Sequence, residues 1–160
     1  MTLEGNRPLL VEIEALTTYT KFGYPKRSSR GVNTGKLDLV IAVLSKYTET
    51  KLESYDIFAN VGRGLQINEP AIDLALAAAI MSSKLGVSLG KSVYLGELSL
   101  TGGVRAIPSL EKRIEECIKL GFSEIYIPAG SKTLKKKQIA VTEISHIREL
   151  QKYIKRPSGE

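Results

Sequence analysis

Residues 68–83, NEPAIDLALAAAIMSS, decide the fold. After Glu69 and Pro70 come Ala71, Ile72, Leu74, Ala75, Leu76, Ala77, Ala78, Ala79, Ile80 and Met81, interrupted only by Asp73. Proline is tolerated in the first turn of a helix, and Asn68 or Glu69 stands where a cap belongs. A helix that is apolar on nearly every side has little to offer water, so this one is expected to be central and buried. Its alanines let neighbours approach closely. Gly86 suits a left-handed C-cap. If Asp73 is buried, it needs a hydrogen-bond donor.

Working outward, residues 8–16, PLLVEIEAL, alternate apolar and acidic positions and read as a strand. Residues 17–35 lack a clean period and read as a long loop with a short strand near 28–32. A helix is expected over 35–47, from Leu37, Val40, Ile41 and Leu44. Residues 55–61 read as a strand, extended toward Ile67 through a bulge at Gly62 and Gly64. After the central helix come a short strand at 93–95 and a hairpin over 96–105 turning at Gly102-Gly103. A helix follows with Ser109 as its N-cap and Leu110, Ile114, Cys117 and Ile118 inward. Strands at 124–127 and 139–144 and a last helix at 145–153 complete the chain. Residues 1–7 read as a frayed or appended tail, 8–154 as one domain and 155–160 as a solvated tail. Sheet and helices are interleaved while hairpins persist, which predicts an α+β protein, a two-layer α/β sandwich with a mixed sheet.

The totals narrow the chemistry. At 160 residues, with 42% apolar and 25% charged, the chain has an ordinary soluble composition and enough length to bury a core. No apolar run is long enough to span a bilayer, and no signal-peptide pattern opens the chain. The one cysteine, Cys117, fits a reducing compartment and reads as a small buried group. His146, the only histidine, shares no ligand spacing with it and reads as a helix-surface residue, so no metal site is expected. No Walker motif is present, and Gly62-Arg63-Gly64 reads as a strand bulge rather than a phosphate cradle. A net charge of +6 favours a polyanionic partner. Lys26, Arg27, Arg30 and Lys36 cluster beside Tyr19, Phe22 and Tyr24, where cations can neutralise phosphates; the same cluster reads also as a solvated basic loop or a subunit contact. A second basic run, Lys132, Lys135, Lys136 and Lys137, reads as a solvated loop.

The succession DIFANVGRGLQINEPAIDLALAAAI (56–80), then YLGELSLTGGVRAIPSLEKRIEECIKLGFSEIYIP (94–128), resembles the proteolytic domain of the Lon family. Its most specific part is GELSLTGGVRAIP. PLLVEIEAL (8–16) and PKRSSRGVNTGKLDLVIAVLSKY (25–47) resemble more narrowly the Lon-like domain of the RadA (Sms) family of bacterial DNA-repair proteins. The resemblance covers residues 8–154.

Lon peptidases use a Ser-Lys dyad, in which a desolvated neutral lysine activates a weak hydroxyl nucleophile. The position matching the serine, after Glu69-Pro70, is Ala71 here, and the position matching the lysine is Glu111. Loss of a triad nucleophile alone costs on the order of a million-fold in turnover; here neither partner has the required atom. Lys112, Ser82, Ser83 and Lys84 offer no evident replacement.

The resemblance therefore implies a non-catalytic, pseudo-protease scaffold and DNA-binding domain of a RadA-type DNA repair and recombination ATPase. It would support hexamer assembly and DNA contact during branch migration, in the cytoplasm, with Lys26, Arg27, Arg30 and Lys36 as the DNA-binding residues. No cofactor is expected in this chain. ATP, Mg and Zn are implied only for a RecA-like ATPase and a zinc-finger module elsewhere in such a protein. The rivals are an active Ser-Lys peptidase and a purely structural oligomerisation module.

Overall fold

The computed structural model describes residues 1–21, 23–131 and 138–154. Phe22, the Lys132 and Lys135–Lys137 run, and the tail 155–160 lie outside the described residues. The chain opens with β1 (Thr2–Glu4), β2 (Arg7–Leu9), β3 (Ile13–Tyr19) and β4 (Arg27–Arg30). Helix α1 (Thr34–Tyr47) and β5 (Tyr55–Val61) lead to a 3-10 turn at Pro70–Ile72 that feeds α2 (Asp73–Leu85). There follow β6 (Ser92–Tyr94), β7 (Glu97–Leu98), β8 (Val104–Arg105), α3 (Leu110–Lys119), β9 (Glu124–Pro128) and β10 (Ala140–Ile144).

Helix α2 is the hub that its composition predicts. Leu74, Leu76, Ala77, Ala78, Ile80 and Met81 are all 0% exposed, so neighbours cover it on several sides. Full burial of each large aliphatic chain favours folding by about 1.5–3 kcal/mol over leaving it in water. Gly86 ends the helix at φ 66, in the left-handed region, with its amide on the carbonyls of Ser82 and Ser83. α2 packs against β3, β6, β7 and α1. The neighbouring core residues form two clusters: one runs through α1, β5 and most of α2, the other gathers Ala71, Val93, Leu95, Ile114, Cys117, Ile125 and Ile127.

The mixed pairing is divided between two three-stranded sheets and two hairpins, consistent with an α+β sandwich. β3 runs antiparallel to β5, from Ile13↔Val61 to Tyr19↔Tyr55, and β4 lies parallel on the other side of β5. β6 and β10 flank β9, both parallel. β7 and β8 form the expected hairpin, with Gly102 at φ 83 in its turn.

Several expectations need correction. Residues 1–7 are not a frayed tail: β1 and β2 form a hairpin around Gly5-Asn6, and Met1 is 3% exposed. A Gly-Asn pair between two short strands is a two-residue hairpin signal, masked here because the flanking residues are polar. The first long strand begins at Ile13 rather than Pro8 and extends to Tyr19. β5 stops at Val61, because Gly62–Gly64 is a 3-10 turn with Arg63 at φ 60 rather than a bulge. The last helix is a 3-10 helix, Ile147–Lys152. His146 is its N-cap, not a residue on its surface: Nδ1 accepts from the Arg148 amide, Glu149 answers through the His146 amide, and the ring stands edge-on to Tyr47.

Between β4 and α1 the chain turns at Gly31, φ 80, where a Cβ would meet the Leu65 carbonyl oxygen at 2.3 Å and Val61 Cβ at 2.6 Å. At Gly90, φ 60, a Cβ would meet nothing within 4 Å. Gly90→Ala should cost only the left-handed strain, about 1–2 kcal/mol, whereas Gly31→Ala adds an overpacking cost of about 1–3 kcal/mol. Urea unfolding of both variants measures the difference; equal midpoints would contradict the close approach at Gly31.

Candidate functional site

Ala71 and Glu111, the residues that the resemblance sets against a Ser-Lys dyad, lie at the heads of α2 and α3. Ala71 sits in the 3-10 turn before α2, 1% exposed. Its carbonyl accepts the Gly96 amide at 3.0 Å, and Gly96 returns its carbonyl to the Leu74 amide at 3.1 Å. Glu111 is exposed in the first turn of α3, where a negative charge suits the helix dipole. Ser109 does not cap α3 with its side chain; it adopts φ 55, a left-handed conformation uncommon for a non-glycine residue. Among the described residues no lysine amine is hydrogen-bonded to a serine hydroxyl.

A buried ion pair occupies this region instead. Arg113 is 0% exposed, and its guanidinium meets the Glu69 carboxylate. Its Nε also donates to the Pro108 carbonyl at 3.1 Å and one terminal nitrogen to the Met1 carbonyl at 2.9 Å. Glu69 Oε2 accepts in addition from the Thr2 hydroxyl at 2.7 Å and the Leu3 amide at 3.0 Å. Burial alone would raise the Glu69 pKa, but the hydrogen bonds from Arg113 and Thr2, the Arg113 charge and the Leu3 amide outweigh it and hold the carboxyl below its usual range. Sequence reasoning missed this pair. The signal was present: Arg113 falls on the same helical stripe as Leu110, Ile114 and Cys117, and a charge on a core-facing stripe demands a partner.

A second ion pair engages Asp73, in the first turn of α2. Asp73 is 4% exposed, as the sequence allowed, and finds two donors: the Lys36 amine and the Leu98 amide at 3.1 Å. Burial still pushes the Asp73 carboxyl up, against the pull of both donors. Lys36 thus turns inward from α1, with its side chain 18% exposed, and stands apart in role from the other three cations of its cluster.

Lys26, Arg27 and Arg30 remain at the surface. β4 is an edge strand of its sheet, and all three residues are exposed. None of the three side chains has an ion-pair partner among the described residues. Asp56 Oδ1 anchors the loop before β4, accepting from the Lys26 amide at 2.8 Å and the Thr20 hydroxyl at 2.9 Å. The Lys26 amide, and then the Thr20 hydroxyl, lower its pKa. Tyr24 in that loop is 94% exposed and Tyr19 63%. No group of acidic, histidine or cysteine residues among those described is placed to hold a metal ion, and no described helix is long and apolar enough to cross a membrane.

Removing one partner of a buried pair strands the other charge. Glu69→Ala and Lys36→Ala should each cost about 3–5 kcal/mol in denaturant unfolding, and Arg113→Met less than Glu69→Ala, because the Glu69 carboxylate it strands is partly exposed and keeps the Thr2 and Leu3 donors. The Glu69 pKa is depressed in the folded state, so its contribution is present above the ordinary value of 4.5 and disappears as pH falls through the lower folded value. Urea midpoints between pH 6 and pH 3 should therefore fall less for Glu69→Gln than for the unaltered chain; parallel curves would exclude this linkage.

No protein-family model matches the chain. Curated relatives do. The chain is 40% identical over 157 residues to the DNA repair protein RadA of Streptococcus pneumoniae, covering 96% of this chain and 37% of that protein. It is 42% identical over 130 residues to the DNA repair protein RadA of Brucella abortus, covering 81% of this chain and 28% of that protein. It is 39% identical over 131 residues to the DNA repair protein RadA of Listeria monocytogenes, covering 81% and 29% respectively. The chain thus spans about a third of the length of the relatives it matches, in their C-terminal portion. The chain belongs to the RadA family, as a homologue of the C-terminal portion of these DNA repair proteins.

Proposed function

We propose that this chain is a non-catalytic, Lon-like domain that contacts DNA and helps hold together a RadA-type repair protein. The observation that carries the DNA reading is the edge strand β4, where Arg27 and Arg30, with Lys26 immediately before them, stand exposed and without an ion-pair partner among the described residues, while Lys36 is engaged by Asp73. Three exposed cations on and just before one edge strand can neutralise phosphates without reading bases, since phosphate contacts position a nucleic acid and base contacts specify it. The relatives' name, DNA repair protein, supports a nucleic-acid partner.

The non-catalytic reading rests on chemistry at the two helix heads. Ala71 has no oxygen to attack with, and Glu111 has no amine to act as base. Beside them a guanidinium and a carboxylate hold each other and four further groups. Arg113 cannot substitute for the lysine, because a guanidinium does not deprotonate in proteins. In the parent protein this domain would sit in a hexameric ring beside a RecA-like ATPase that supplies ATP hydrolysis, in the cytoplasm. The domain itself would hold no cofactor.

DNA binding followed by fluorescence anisotropy at several salt concentrations tests this reading. Alanine at Lys26, Arg27 and Arg30 together should weaken binding to all sequences about equally and flatten the salt slope by roughly one unit for each phosphate no longer neutralised. Lys36→Ala, corrected for its reduced stability, should leave the slope unchanged. Unaltered affinity in the triple variant would remove this site and favour a purely structural oligomerisation module. A fluorogenic peptide assay should show no turnover sensitive to serine-directed inhibitors; inhibitor-sensitive turnover would establish the peptidase instead.

A further inference from the structure

We draw no further inference here: the strongest candidate, the groove between the open edge of β3 at Ile13 and Ala15 and the flank of α2 at Ala79 and Ser83, carries nothing, because nothing in the structure shows what covers it.

Discussion

A guanidinium taken fully out of water must be given a carboxylate and acceptors for its remaining protons, or the fold is destabilised by several kcal/mol. Arg113 imposes that constraint here, and the structure around it is the response. Glu69 comes from the segment entering α2, the Pro108 carbonyl from the turn before α3, and the Met1 carbonyl from the first hairpin. Three pieces of chain far apart in sequence are brought to one side chain. Because Glu69 also takes the Thr2 hydroxyl and the Leu3 amide, the β1–β2 hairpin is held to the body by polar contacts as well as by Met1 packing.

The pair Lys36–Asp73 performs the corresponding task one turn further on, joining α1, α2 and the β7–β8 hairpin. Two ion pairs therefore bracket the Pro70–Ile72 turn, and Ala71 lies between them with its carbonyl on Gly96. An arrangement of this kind suits rigidity. Any group that had to move a proton there would need a shifted, exchangeable partner, whereas Glu69 is kept ionised by donors on both oxygens. The same geometry explains why one cation of the sequence cluster is not like the rest: Lys36 is held by the core, and its neighbours at β4 are left to the surface.

The α2 helix and the β3–β5–β4 sheet also divide the labour between holding and presenting. α2 packs beside β3, and its Ser83 hydroxyl accepts the Thr17 amide at 2.9 Å, so part of the β3 edge is satisfied by the helix rather than by another strand. The other edge strand, β4, is short and carries arginine at both ends, charges of the kind that discourage edge-to-edge pairing with a second chain. A surface that resists strand addition is free to serve as a charged border.

Much of this was legible without coordinates. Period and composition located α1, α2, α3, β5 and β9 to within a few residues, because continuous apolar or helically spaced runs encode burial directly. The central place of α2 followed from alanines and aliphatics on every side, and the need of Asp73 for a donor followed from its position within them. Local pattern was silent where the partner is distant. Nothing near Arg113 or Glu69 in sequence names the other, since they are separated by 44 residues, and nothing near Lys36 says that its amine turns inward. The polar hairpin at the start, the 3-10 geometry at Ile147–Lys152 and the left-handed Ser109 likewise arise from contacts made only once the chain is packed. Sequence by itself determined which segments must be buried, because hydrophobic burial sums over neighbours along the chain. Only the tertiary structure decided which charges are paired inside and which remain outside, because an ion pair depends on two positions meeting in space.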